Sequence, residues 1–166
     1  MKTIIKITFV IALFSIFSFT GCVVEDNPEP VVEEATVFYS EWFSKSTWAG
    51  TSGAWYFEVP APDLTEDIVE NGVILAYASL DGDYNSVRPL PAFVFNANWS
   101  YLIPDYEYIM FTCDMIDAPT DKDMIRFIAI PGTVPALKST SSKKYTEQEL
   151  RNMTYHEVCQ LYNIPE

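Results

Sequence analysis

Residues 73–80 read Val-Ile-Leu-Ala-Tyr-Ala-Ser-Leu, a nearly unbroken apolar run. A half-buried strand alternates apolar and polar residues, and this one does not. It therefore needs cover on both faces and marks the centre of a core. Leu75 is expected to be fully buried there. Any fold for this chain has to supply two layers around that one strand.

The rest of the chain supplies candidates for those layers. Residues 35–40 alternate and read as a first strand. In Ala-Trp-Tyr-Phe-Glu-Val at 54–59, Trp55, Phe57 and Val59 share one face, and Tyr56 and Glu58 share the other. Pro60 and Pro62 stop that strand. Pro89 and Pro91 push residues 88–95 toward a sheet edge, because proline has no N–H for a central ladder. Residues 98–103 and 106–114 read as strands separated by Pro104-Asp105. Residues 124–130 are the last strand, stopped by Pro131-Gly132. Residues 81–85 and 118–123 read as turns. Residues 44–53, rich in Ser, Thr and Gly, read as a loop, and 137–144 as a polar connector.

Helix signals are few. Residues 64–71 read as a short helix with Thr65 as cap, Glu66 and Asp67 at its positive end, and Gly72 to stop it. Thr146 with Glu149, and Thr154 with Glu157, have capping-box spacing. After the second of these, Val158, Leu161 and Tyr162 would line one face of a terminal helix laid over the sheet. Aromatic residues make up 15 % of the chain, which also suits β structure. The expectation is a mainly β protein: an antiparallel β-sandwich with a short helix after the second strand and a C-terminal helix.

The N-terminus is an address. Lys2 and Lys6 precede an apolar run at 7–19, and Thr20-Gly21-Cys22 follows, which has the form of a lipobox. Small residues at 20 and 21 fit a peptidase cleft, and the Cys22 thiol accepts the lipid. Phe19 stands where Leu is usual. A run of thirteen residues is short for a spanning helix, which needs about 20. The domains expected are a signal peptide at 1–21, an acidic tether at 22–34 and one β-rich domain at 35–166. Two prolines and five acids at 23–34 keep the tether in solvent. Glu25 and Asp26 resemble an acidic surface-export tag. An outer-membrane lipoprotein is expected, with surface display favoured over a periplasm-facing anchor.

Removing residues 1–21 takes away Lys2 and Lys6 and no acid, so the formal charge moves from −13 to −15. Such a chain repels nucleic acid, which is not an expected partner. The expected partners are the membrane, through the lipid, and a glycan or protein. An exported compartment permits a disulfide between Cys113 and Cys159. The sequence leaves both the paired and the free state open.

Four pieces together resemble a group of small Bacteroidota lipoproteins of unassigned function. They are the strand at 54–59, Leu-Thr-Glu-Asp-Ile-Val-Glu-Asn-Gly at 64–72, Arg-Phe-Ile-Ala-Ile-Pro-Gly at 126–132, and Tyr-His-Glu-Val-Cys-Gln-Leu-Tyr-Asn-Ile-Pro at 155–165. The resemblance implies an anchored, exported, β-rich domain, and it implies no catalytic residue.

No constellation assigns a chemistry. His156, three residues before Cys159, offers half a metal site; a solvent-facing helix residue is the simpler reading. Asp81-Gly82-Asp83-Tyr84-Asn85 starts like a calcium loop, but Ser86 and Ala92 stand where Gly and Glu are required. It reads as a turn. Of Trp42, Trp48, Trp55 and Trp99, Trp55 sits at the inward phase of a strand. Trp48, in the Ser-Thr-Gly loop, is the candidate for an exposed ligand platform, and its loss should then cost the fold little. No hydrolase or phosphate-binding motif is present, and nothing singles out a carboxylate pair. No cofactor, metal or catalytic residue is assigned. The expected role is a binding or envelope module; the alternative is a small secreted hydrolase acting on glycans or peptides.

Overall fold

A computed structural model of the chain describes residues 36–44, 48–84, 86–132 and 145–166, all within one compact unit spanning Glu33–Glu166. Cys22, the signal peptide, the tether and the whole 137–144 connector lie outside the described residues. In chain order the strands are β1 (Phe38–Tyr39), β2 (Phe43–Ser44), β3 (Ala49–Thr51) and β4 (Ala54–Pro60), followed by helix α1 (Glu66–Asn71). Then come β5 (Val73–Ser79), β6 (Val87–Pro89), β7 (Ala92–Val94), β8 (Ala97–Leu102), β9 (Tyr108–Cys113) and β10 (Met124–Ile130). Helices α2 (Glu147–Arg151) and α3 (Tyr155–Tyr162) end the chain.

The strands form two antiparallel sheets. Sheet A has the order β1-β10-β5-β6, with β2 also paired to β10; sheet B has the order β3-β4-β9-β8-β7. The apolar run at 73–80 is β5, held between β10 and β6, with Leu75 opposite Ile128 and Ala76 opposite Phe127. Its two faces enter two different cores, which is why it does not alternate. Ile74, Ala76 and Ala78 face sheet B and pack with Phe57, Trp99, Ile109 and Phe111. Leu75 and Tyr77 face the other way, under Leu150, Tyr155, Val158 and Tyr162 of α2 and α3. The molecule is thus a sandwich with a helical cover on one side. Leu75 is 4 % exposed. Truncating it opens a cavity between sheet and helices, so Leu75→Ala is expected to cost about 2–5 kcal/mol. A thermal melt by circular dichroism that matches the parent would contradict the assignment of β5 to the centre.

Both capping boxes form. The Thr154 hydroxyl accepts from the Glu157 amide at 3.2 Å, and the Thr154 amide donates to the Glu157 carboxylate at 2.7 Å. Thr146 and Glu149 repeat the arrangement at 3.3 and 2.9 Å. Thr65 occupies the cap position of α1 without a side-chain cap bond. Gly72 links α1 to β5 in a tight place: a Cβ there would lie 2.6 Å from the Ile68 carbonyl and 2.7 Å from that of Ile130.

Several expectations need correction. The short helix follows the fourth strand, not the second, because β2 and β3 are too short to leave a periodic signal. The loop expected at 44–53 contains β3, which forms a hairpin with β4. Residues 88–95 do lie at a sheet edge, as expected, but at two edges rather than one. β6 closes the edge of sheet A and β7 the edge of sheet B, and the chain changes sheets across the cis Leu90–Pro91 bond. The buried Leu90 side chain fills the corner between them.

Candidate functional site

Trp48 is not an exposed platform. It is 7 % exposed, with its ring edge-on to Phe57 at 4.6 Å and to Trp99 at 6.0 Å. The cause is register. Ala49 pairs with Tyr56, which faces outward, so Trp48 falls beside the inward-facing Phe57. A loop composition hid an inward strand phase. The other tryptophans are structural too. Trp99 is fully buried, and Trp55, half-buried, donates its indole N–H to the Met115 carbonyl at 3.1 Å. Trp42 is half-buried, edge-on to Tyr155 at 5.6 Å.

Of the two states that the sequence leaves open for Cys113 and Cys159, the structure has the free one: both thiols are unpaired and buried. Cys113 faces the core between the sheets, and Cys159 packs in the second core, beneath α3 on the far side of sheet A. Sheet A itself lies between the two cores. A disulfide spans less than about 7 Å between Cα atoms. Burial pushes the Cys113 thiol up to about 11 and raises that of Cys159. Burial likewise pushes Tyr155 and Tyr162 up to about 12.

His156 and Cys159 do not form a pair. His156 is exposed, with Nδ1 2.5 Å from the Glu166 carboxylate, whereas Cys159 points into the core. The Asp81 tract is a turn. Asp83 is buried and takes a bidentate contact from Arg88 at 2.6 and 2.8 Å, which holds its carboxyl below the usual range. Among the described residues no group of three or more His, Cys, Asp or Glu could hold a metal ion. Among them, too, no helix is long and apolar enough to cross a membrane.

The site that the geometry builds is elsewhere. Among the described residues, sheet A is covered on both faces and sheet B only on its inner one. Its outer face presents the second phase of every strand. Tyr56 on β4, Thr112 on β9 and Ser100 on β8 form one row, fixed by the pairs Tyr56 with Thr112 and Ser100 with Thr112. Phe93 on β7 stands opposite Asn98 on β8. Glu58, Met110 and Leu102 form the next row along, toward Tyr108. Phe93 is 67 % exposed and Tyr56 42 %. Beside Tyr56, over β4, β9 and β8, lies a shallow trough of about 430 Å³, lined by Ala54, Tyr56, Asn98, Ser100, Thr112 and Asp114; Phe93, opposite Asn98 on the next strand, stands just outside its lining. The Asp114 carboxylate accepts from the Asn98 backbone and side-chain amides, both at 2.6 Å. Those bonds, the side-chain one first, hold its carboxyl below the usual range and leave it ionised at neutral pH.

Such a face offers aromatic rings, hydroxyls, an amide and a fixed carboxylate on a rigid sheet. It can stack and hydrogen-bond a ligand. The alternation of Tyr56 and Glu58 with Trp55, Phe57 and Val59 was legible in the sequence; that their face would stay uncovered was not.

The fold and face define a class: an antiparallel sandwich with helices over one sheet and the other sheet open. No family model, curated protein or solved structure matches the chain.

Proposed function

We propose that this protein is a lipid-anchored, exported binding module of the cell envelope, and that the outer face of sheet B takes the ligand. One observation carries the binding role. Among the described residues, the helices cover one outer sheet face and nothing covers the other, where Tyr56, Phe93, Leu102 and Tyr108 are exposed. The anchor rests on Thr20-Gly21-Cys22 and the acidic stretch after it. The hydrolase alternative is less well supported. An activated thiol has a lowered pKa and some access to solvent. Here Cys113 and Cys159 are buried, and their values are raised.

Two experiments test this reading. Cys22→Ala should lose its acyl mass and leave the membrane fraction. If it stays bound after a high-salt wash, the anchor is wrong. Protease shaving of intact cells then decides which side of the membrane the domain faces. For the binding role, a photoreactive phenylalanine analogue is placed at Ser100 on the open face or at Gln160 on α3, in the cells that naturally make the protein. The reading expects adducts from Ser100 well above those from Gln160. Equal labelling at the two positions, or none at Ser100, would overturn it.

A further inference from the structure

We infer that the ligand of the open sheet-B face is a largely uncharged glycan chain, lying across the strands between Tyr56 and Phe93. This rests on the binding role proposed above and adds the chemical class.

Size is the first argument. Five strands about 4.8 Å apart, with outward paths of about six residues rising about 3.3 Å each, give a face of at most about 480 Å². The edge strands β3 and β7 have only three residues each, so the true area is smaller. A stable protein–protein interface buries about 800 Å² of accessible surface on each partner, so a protein seated here would also have to engage the loops that flank this flat footprint. A second copy of this chain is doubly disfavoured, since each full chain has a formal charge of −13 and loses two lysines with residues 1–21.

Geometry is the second. An extended peptide binds a sheet by its backbone, along an exposed edge. The trough lies on the face, where the backbone groups are already paired within the ladder and only side chains are on offer. The ligand must therefore be recognised through rings and polar side chains alone. Tyr56 and Phe93 stand on β4 and β7, three strand spacings or about 14 Å apart. A short run of sugar rings spans that distance.

Chemistry is the third. A pyranose presents C–H groups on its flat faces, which pack on the electron-rich faces of Tyr and Phe. It presents hydroxyls at its edges, which both donate and accept. Between the two rings stand Ser100, Thr112 and Asn98, which also do both, and the ionised Asp114, which accepts only. Cations are not among these trough residues, so a polyanion would find no counter-charge there. A few convergent polar groups between apolar walls are the usual make-up of a site for a small organic ligand.

The experiment is the Ser100 photo-adduct, now sorted by chemistry. The expected result is an adduct that resists protease and is degraded by periodate or mixed glycosidases. Tyr56→Ala and Phe93→Ala should each lower its yield about tenfold or more, as loss of a central ring does. Their thermal melts should stay close to the parent, since both rings are on the surface. A protease-sensitive adduct would overturn the glycan assignment while leaving the binding role intact. Absence of any adduct would remove both. A carbohydrate adduct of unchanged yield in both ring variants would overturn the placement between Tyr56 and Phe93.

Discussion

Trp48→Ala is expected to destabilise the domain by about 3–5 kcal/mol, the usual cost of emptying an aromatic site in a packed core. The ring is wedged edge-on between Phe57 and Trp99, at the open end of the inter-sheet core. Its neighbours belong to β4 and β8, so collapse into the space would require two strands of one sheet to shift. A domain of this size has about 5–15 kcal/mol in total, and the variant should melt far below the parent. Trp48→Phe keeps most of the packing and should lose much less. If Trp48→Ala melts within about 1 kcal/mol of the parent, as a surface change does, then the ring is not a core element.

Arg126→Ala is expected to cost about 2–5 kcal/mol, the range for breaking a buried polar network. Arg126 sits on β10 in the outward phase, opposite Tyr77, and is 3 % exposed. It donates to the Ser40 carbonyl at 2.7 Å, to the Tyr155 hydroxyl at 2.5 Å and to the Pro165 carbonyl at 2.7 Å. Its guanidinium also lies over the rings of Tyr39, Trp42 and Tyr155, at 5.0, 5.8 and 5.9 Å from their centroids. One side chain thus ties the segment after β1, helix α3 and the chain's last residues to sheet A. Removing it leaves the buried Tyr155 hydroxyl and the part-buried carbonyl bonds of Ser40 and Pro165 without their donor, and cation–π contacts go with it. Arg126→Lys should recover little, because an ammonium cannot span the three acceptors as a planar fork does. Urea unfolding followed by circular dichroism reads both variants. If Arg126→Lys matches the parent, the charge alone suffices and the fork geometry is irrelevant.

Neither residue's structural role was legible in the sequence, and the reasons differ. Arg126 lies inside Met-Ile-Arg-Phe-Ile-Ala-Ile, which reads correctly as a strand. A lone cation in a buried strand has a partner somewhere, but nothing local names carbonyls and rings from residues 39–42, 155 and 165. Trp48 was concealed by its Ser, Thr and Gly neighbours. A three-residue strand carries no period of its own, and its phase is inherited from the strand it pairs with.

What the sequence determined by itself was local or carried by a long enough pattern. The unbroken run at 73–80 marked the doubly covered strand. Phe57 and Tyr56 sorted to opposite faces by alternation. Thr146 with Glu149 and Thr154 with Glu157 specified two helix starts, because a capping box closes within four residues. The mainly β, antiparallel class followed from these and from the turns. Tertiary structure alone decided how strands were shared between sheets. It placed β6 and β7 on different sheets, turned Trp48 inward and put Cys113 and Cys159 in separate cores. It also laid both C-terminal helices on sheet A and, among the described residues, left the Tyr56 face of sheet B open. Each of those outcomes depends on which strand lies beside which, across separations of tens of residues. That choice is made by the packing of whole layers, and no window of the chain contains it.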